Sequence, residues 1–440
     1  MIKTFTTDIA AALGPTPRHN VTVLGDDILP SCFATSDFAV ATLSAAAGEL
    51  AALVGCEDAI VNRRHALMWF GMTLRPDGWK IPSLWDPIAG DYQTVDGWIR
   101  LHTNAPHHCA AALSVLKCDP ERSAVARSVL KWEKTDLETE IVAANGAAAA
   151  MHSQTDWAIH PQGRAVAAEP LIHWETFDQD AAPIHLDSLK VLDLTRVLAG
   201  PVATRFLAGY GAQVLRIDPP DWNEDGVVPE VTLGKRCAGL DLTRKDHRAR
   251  FETLLKKADV LVHGYRPGAL DQLGFDPDHL RKVSPNLINV SLSAYGHSGP
   301  WAHRRGFDSL VQMSSGIAHT GMIHAKLDHP KPLPMQALDH GTGYLIAATV
   351  LRAIRNRNAT GQTANARLSL ARSAALLTSV PSQSFQGEPL TITDNDIDQR
   401  IEATPWGPAN RVKFPVTMNA TLPTWPYPAG PLRRHDAVWQ

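Results

Sequence analysis

The sequence predicts an α/β protein: a large domain built on a parallel sheet, preceded in the chain by a smaller α+β domain. Three observations carry that reading. The first is the stretch from Val191 to Pro220. A short apolar run (Val191, Leu192, Leu194) leads through Gly200-Pro201 into Val202, Phe206 and Leu207 at helical spacing. It then passes Gly209 and Gly211 into a second run, Gln213 to Ile217, closed by Asp218. Strand, helix, strand in that order makes two parallel neighbours with the helix on one face. The second is repetition of the unit. Ala238 to Leu242, a helix through Phe251 and Leu255, the strand Val260 to Val262, a segment Asp278 to Val283 and the strand Leu287 to Leu292 follow in turn. The third is a hairpin ahead of all this: Asp91 to Val95 alternates, Asp96-Gly97 is a two-residue turn, and Trp98 to His102 returns.

In chain order, residues 1–85 read as a helical N-terminal segment and linker. Its main element is an alanine-rich helix from Ser36 to Val54 with a small-residue face suited to close packing. Residues 86–165 are the small α+β domain, with short helices at Ala110 to Leu116, Ala124 to Val129 and Leu137 to Val142. Residues 166–186 are a linker, and 187–378 are the large domain. Within it a helix spans Phe307 to Ile317, and the apolar helix Tyr344 to Ile354 is preceded by a loop Gln336 to Gly343. Residues 379–440, rich in Pro, Trp and Asp, read as a tail packing on the large domain.

Composition narrows the class. Lys+Arg 42 against Asp+Glu 45 gives a net charge of −3, with no basic stripe suited to nucleic acid. No window is read as approaching 18 uncharged apolar residues, and the N-terminus lacks a signal-peptide core, so the expectation is a cytoplasmic protein without membrane contact. Five scattered cysteines, an odd number without metal-ligand spacing, point to free thiols in a reducing compartment. His107-His108-Cys109 is the one tight His/Cys cluster; with no distant partner evident, the metal expectation is none.

Ligands of such sheets gather at the carboxyl ends of the strands. Here those are the loops 198–201, 264–268 and 294–300. The helix after the first strand offers free N–H groups to a phosphate, and Asp218 stands where a dinucleotide-binding unit keeps a ribose-binding acid. The glycine pattern of a nicotinamide or flavin site is absent, so the expected ligand is another nucleotide-bearing molecule. Arg266, with Arg216, Lys235 and Arg236, is a set of candidate phosphate partners; Tyr295 and His297 lie on a ligand-side loop. The basic triplet in Asn62-Arg63-Arg64-His65 is either a solvated turn or an anion-contacting patch.

Asp339 is the leading chemical candidate. It stands at a helix start with Gly341 and Gly343 after it, glycines that let backbone N–H groups approach a ligand. A carboxylate there is expected to be held ionised by the helix start and to serve as a nucleophile. The competing reading is a helix N-cap. His340 is a candidate proton carrier, and Asp308, after Gly306-Phe307, reads as a cap or a site residue.

Taken together, VLDLTRVLAGP, GAQVLRIDPP, LGKRCAGLDL, ADVLVHGYRPGALDQLGF, SPNLINVSLSAYGHSGP, RRGFDSLVQMSSGI and LDHGTGYLIAATVLRAIRNRNATGQ resemble, in this order, the family III CoA-transferases, the group that includes formyl-CoA transferase and carnitine CoA-transferase. The resemblance spans about 187–378 and implies a Rossmann-like fold. It implies a catalytic aspartate at Asp339 that passes through a mixed anhydride to an aspartyl-CoA thioester. CoA contacts are implied at Val197, Leu198, Leu240, Gly264 and Tyr265. CoA and acyl-CoA are then substrates, with no tightly bound cofactor; the partners are an acyl-CoA and a small carboxylic acid, in a homodimer of interlocked rings.

Four departures qualify the resemblance. Leu198 replaces the glutamine of formyl-CoA transferase. The glycine-rich loop that closes over that enzyme's aspartate has no evident counterpart. The related α-methylacyl-CoA racemases carry a histidine where this chain has Phe307, which disfavours racemisation. Finally, the small-domain sequence precedes the nucleotide-binding portion rather than following it, as in a circularly permuted member or one half of a tandem form. A racemase or isomerase of acyl-CoA thioesters and a non-catalytic acyl-CoA-binding protein remain the alternatives.

Overall fold

The computed structural model describes residues 1–15, 19–419 and 422–440. Its centre is a seven-stranded sheet. Counting Lys190–Leu194, Gln213–Asp218, Arg236–Gly239, Val260–His263, Ile288–Ser293 and Gln362–Ser369 as first to sixth, the strands lie in the order three, two, one, four, five, six. All six are parallel. That is the doubly wound, Rossmann-like order, whose ligand crevice opens where the order reverses, between the first and fourth strands. The seventh strand, His173–Asp178, pairs antiparallel with the sixth; it lies within the segment expected to be a linker.

The first, second, fourth and fifth strands are Val-, Leu- and Ile-rich because helices cover both faces. On one face, Leu192, Leu215, Leu261 and Ile217 pack with Phe251, Leu254 and Phe275. On the other, Val191, Val260, Ile288 and Val290 meet the long helix Ala337–Thr360 and the helix Ala199–Gly209. The alanine-rich helix Thr35–Val54 lies against Ala337–Thr360 as its small-residue face suggests. It is also long and apolar enough to cross a membrane, with a mean hydropathy of 1.5 over 18 residues, which corrects the expectation that no such window exists. In this fold 72% of that window is buried, and its Glu49 pairs inside with Arg352 and Arg355.

The smaller unit has the three-stranded antiparallel sheet Gly90–Gln93, Trp98–Leu101 and Ala148–Ala150. The helices Pro106–Leu116, Arg122–Val129 and Lys134–Ala143 enclose its own core around Ile99, Leu101, Val125, Leu137 and Ile141. Trp157 and Val166, beyond it, pack instead into the main core.

The N-terminal segment is not purely helical. Its strands Thr22–Leu24 and Ala59–Asn62 make a sheet with Val416–Met418, and Leu74–Pro76 makes another with Glu402–Thr404 and Gly407–Arg411. The basic triplet is neither a solvated turn nor an anion site. Asn62 caps a short helix, Arg63 pairs with Asp37 and Arg64 with Asp27 and Asp396.

Candidate active site

The helix carrying Asp339 begins at Ala337, seven residues before the Tyr344 start the sequence suggests, so Asp339 lies inside its first turn rather than in a loop. Two features make this possible. A carboxylate from another element, Asp308, accepts the Asp339 backbone N–H at 2.9 Å. Asp308 therefore caps this helix and not its own, Asp308–Ser314, to which it offers no side-chain cap. The glycines, secondly, serve packing rather than ligand approach: a Cβ on Gly341 would lie 2.2 Å from the Phe38 ring, and one on Gly343 would lie 2.4 Å from the Ala199 carbonyl oxygen. They let the helix nest between Thr35–Val54 and Ala199–Gly209.

The expectation that the helix start keeps Asp339 ionised is overturned. Burial, and then repulsion from Asp308, raise its carboxyl well above the usual carboxylate range. Burial likewise raises Asp308, to about 6, against the hydrogen bonds it accepts. His340 is no proton carrier near neutrality: burial, then Arg205, hold it down at about 3, and it stacks on Phe70 at 5.2 Å.

Asp339, 7% exposed, reaches a cavity of about 480 Å³ at the carboxyl ends of the first, fourth and fifth strands. Val197, Gly264, Tyr265 and Arg266, of the expected ligand residues, line the same cavity. So does Ala199, the first residue of the helix after the first strand, which puts that helix's free N–H end at the wall. Val197 is a β-branched residue at φ +63, a conformation that needs outside support. Glu224 supplies it by accepting the Val197 N–H at 2.8 Å, while also accepting from Trp222 and pairing with Arg216.

The remaining expected residues stand elsewhere. Leu198 is buried at the helix start and Leu240 belongs to the second core cluster; neither lines this cavity. Tyr295 is buried with its hydroxyl on Ser314, and His297 binds the Leu368 carbonyl. Asp218 and Arg216 are buried against each other through two contacts of 2.9 Å. Lys235 is buried on Asp193 at 2.9 Å, and Arg236 donates to the carbonyls of Asp436 and Val438. Of the four cations suggested for phosphate, only Arg266 faces the cavity.

Sequence reasoning missed two others. Arg196 lies between the rings of Trp222 and Tyr265, 5.1 Å from each centroid. Arg305 meets Arg266 closely enough that repulsion from it, after burial, lowers the Arg305 pKa. Among the described residues, Arg196, Arg266 and Arg305 have no ion-pair partner, so their charge is free for an anionic ligand. The signal was present in Thr195-Arg196-Val197 at the first strand end and in Arg304-Arg305-Gly306 ahead of Asp308. No group of three or more His, Cys, Asp or Glu side chains is arranged to hold a metal ion among the described residues.

Residues 186–400 match the family model described as CoA-transferase family III. This region belongs to CoA-transferase family III. Curated relatives within the family agree with the match. The chain is 33% identical over 190 residues to the "Probable fatty acyl-CoA transferase Rv3272" of Mycobacterium tuberculosis, covering 40% of this chain and 48% of that one. It is 39% identical over 143 residues to the acetyl-CoA:oxalate CoA-transferase of Acetobacter aceti, covering 30% and 37%. With the succinyl-CoA:glutarate CoA-transferase of Mus musculus it shares 31% over 191 residues, covering 40% and 43%. The chain thus spans less than half the length of these curated relatives. A crystal structure of the M. tuberculosis protein aligns with 45% of this chain and 58% of its own, at 30% identity and a TM-score of 0.41.

Proposed function

We propose that the protein is a CoA-transferase that moves CoA from an acyl-CoA donor to a carboxylic acid acceptor, with Asp339 as the nucleophile. The observation that carries this reading is the position of Asp339 in the wall of a cavity ringed by three arginines with no ion-pair partner among the described residues. Those cations and the N-terminus of Ala199–Gly209 suit the phosphates of CoA, while Tyr265 and Phe307 supply apolar wall.

The steps follow from the carboxylate. An Asp339 Oδ bonds to the acyl carbon as the C–S bond breaks, giving a mixed anhydride and CoA thiolate. The thiolate bonds to the Asp339 carboxyl carbon, and the bond to the donor acid breaks, so the donor leaves as a carboxylate and aspartyl-CoA remains. An acceptor carboxylate runs the same steps in reverse and departs as its CoA thioester. No oxidant and no net proton is consumed. CoA enters as substrate, so no resident cofactor is invoked. Position 307 offers no acid or base: Phe307 stacks on His102 at 3.7 Å, which argues against racemisation. We place the protein in the cytoplasm as a homodimer.

The test is CoA transfer from a panel of acyl-CoA donors to a panel of carboxylates, run with wild type and Asp339→Ala. Hydroxylamine trapping with intact-mass measurement accompanies it. Transfer by wild type, its loss in the variant, and a hydroxamate mapped to Asp339 are expected. An inert wild type that still binds CoA would replace this reading with that of an acyl-CoA-binding protein, and α-proton exchange in deuterated water without an acceptor would replace it with that of a racemase.

A further inference from the structure

We infer that His108 is a substrate-binding residue, donating a hydrogen bond to the carboxylate of the acid that exchanges on Asp339; the inference rests on the CoA-transferase reading. His108 sits in the first turn of Pro106–Leu116, in the smaller unit, facing the large domain across the cavity that Asp339 also lines. Its side chain is 3% exposed, yet neither ring nitrogen has a partner among the described residues. A buried imidazole without hydrogen bonds is costly and uncommon, which calls for a ligand that completes it.

The surroundings specify that ligand. The His108 ring meets the edge of Phe307 at 5.8 Å between centroids. Phe307 directly precedes Asp308, whose carboxyl holds the Asp339 N–H. His108 is therefore connected to the nucleophile's helix start by one aromatic contact and one hydrogen bond. Three cations or potential cations, His107, Arg305 and Arg266, act on it and, with burial first among the causes, keep it neutral, down at about 3. A neutral imidazole carries one N–H donor, and a field of that sign favours an anionic oxygen beside it. The carboxylate acceptor has such oxygens.

The experiment compares wild type, His108→Ala and His108→Gln as full-length chains. The probes are acetyl-CoA as donor and oxalate, glutarate and butyrate as acceptors. The KM for each acceptor is read separately from the KM for acetyl-CoA, and aspartyl-CoA formed without acceptor is read by hydroxylamine trapping. Loss of a hydrogen bond to a charged oxygen predicts an acceptor KM raised about ten- to a hundredfold in His108→Ala. The KM for acetyl-CoA should stay within about threefold, and His108→Gln, which keeps an N–H donor, should recover part of the loss. An acceptor KM unchanged in His108→Ala overturns the inference, as does a rise confined to the KM for acetyl-CoA, which would put His108 on the coenzyme. If His108→Ala does not fold, His108→Phe, which keeps a ring but no donor, takes its place: an acceptor KM at least about tenfold above that of His108→Gln supports donation, and equal acceptor KM values in the two variants overturn it. Failure of the wild type to transfer CoA to any acid would sink the underlying reading instead.

Discussion

Replacing Asp308 by asparagine should carry the acidic limb of the pH–rate profile to lower pH. Asp308 and Asp339 are two buried carboxyls meeting at one helix start, and each is raised above its ordinary range. The scale comes from Asp308, held at about 6 against 3.8. That difference is about 2 units, or about 3 kcal/mol at roughly 1.4 kcal/mol per unit. Burial is the largest cause for both groups, and for Asp339 the second is the Asp308 charge. Removing that charge leaves the burial contribution and should lower the Asp339 pKa.

The sign is fixed by the chemistry. In the proposed reaction Asp339 attacks only as a carboxylate, so below its pKa each unit of downward shift makes about ten times more nucleophile. Asparagine retains an Oδ acceptor for the Asp339 N–H, so the helix stays capped. The assay is the initial rate of aspartyl-CoA formation at saturating acyl-CoA across roughly pH 4 to 8. A limb that stays in place or moves upward would refute the coupling. Stability offers a second reading: a raised carboxyl pKa stabilises the fold below 3.8 and the benefit is lost as pH rises to about 6. The urea midpoint of the variant should vary less than that of wild type over that interval.

Two further outcomes follow from the packing and the charge. Gly341→Ala places a methyl 2.2 Å from the Phe38 ring, and overpacking of that kind should cost about 1–3 kcal/mol, read as a lower urea midpoint with an unchanged slope. Arg266→Ala combined with Arg305→Ala removes two cations from the cavity; the KM for acyl-CoA should rise at least about tenfold and lose much of its dependence on salt, which steady-state rates at several ionic strengths would measure.

The sheet was legible because local signals and global pattern agree in it. Apolar runs of strand length alternate with helical spacing from Val191 onward, and in the smaller unit Asp96-Gly97 marks the hairpin without help from tertiary contacts. Asp339 was legible through its surrounding motif, but its setting was not. Gly341 and Gly343 read as loop residues because propensity sees the missing side chain and not Phe38 or Ala199, which occupy its place. Arg216, Lys235 and Asp218 looked like ligand groups until the fold paired them in the interior. His108 was visible only as part of a weak metal cluster; what distinguishes it is the absence of a partner among the described residues, which no local pattern encodes.

The helix that carries Asp339 is held on one side by Thr35–Val54, and the buried pair of Glu49 with Arg352 joins residues 303 positions apart. On a ribosome adding roughly 5–20 residues per second, about 15–60 s pass between the two ends of that pair. Throughout that interval an apolar helix with a buried acid is exposed without its counterpart. Completion of the surroundings of Asp339 is therefore among the late events of synthesis, and the nascent chain is a natural client for whatever shields hydrophobic surface during translation.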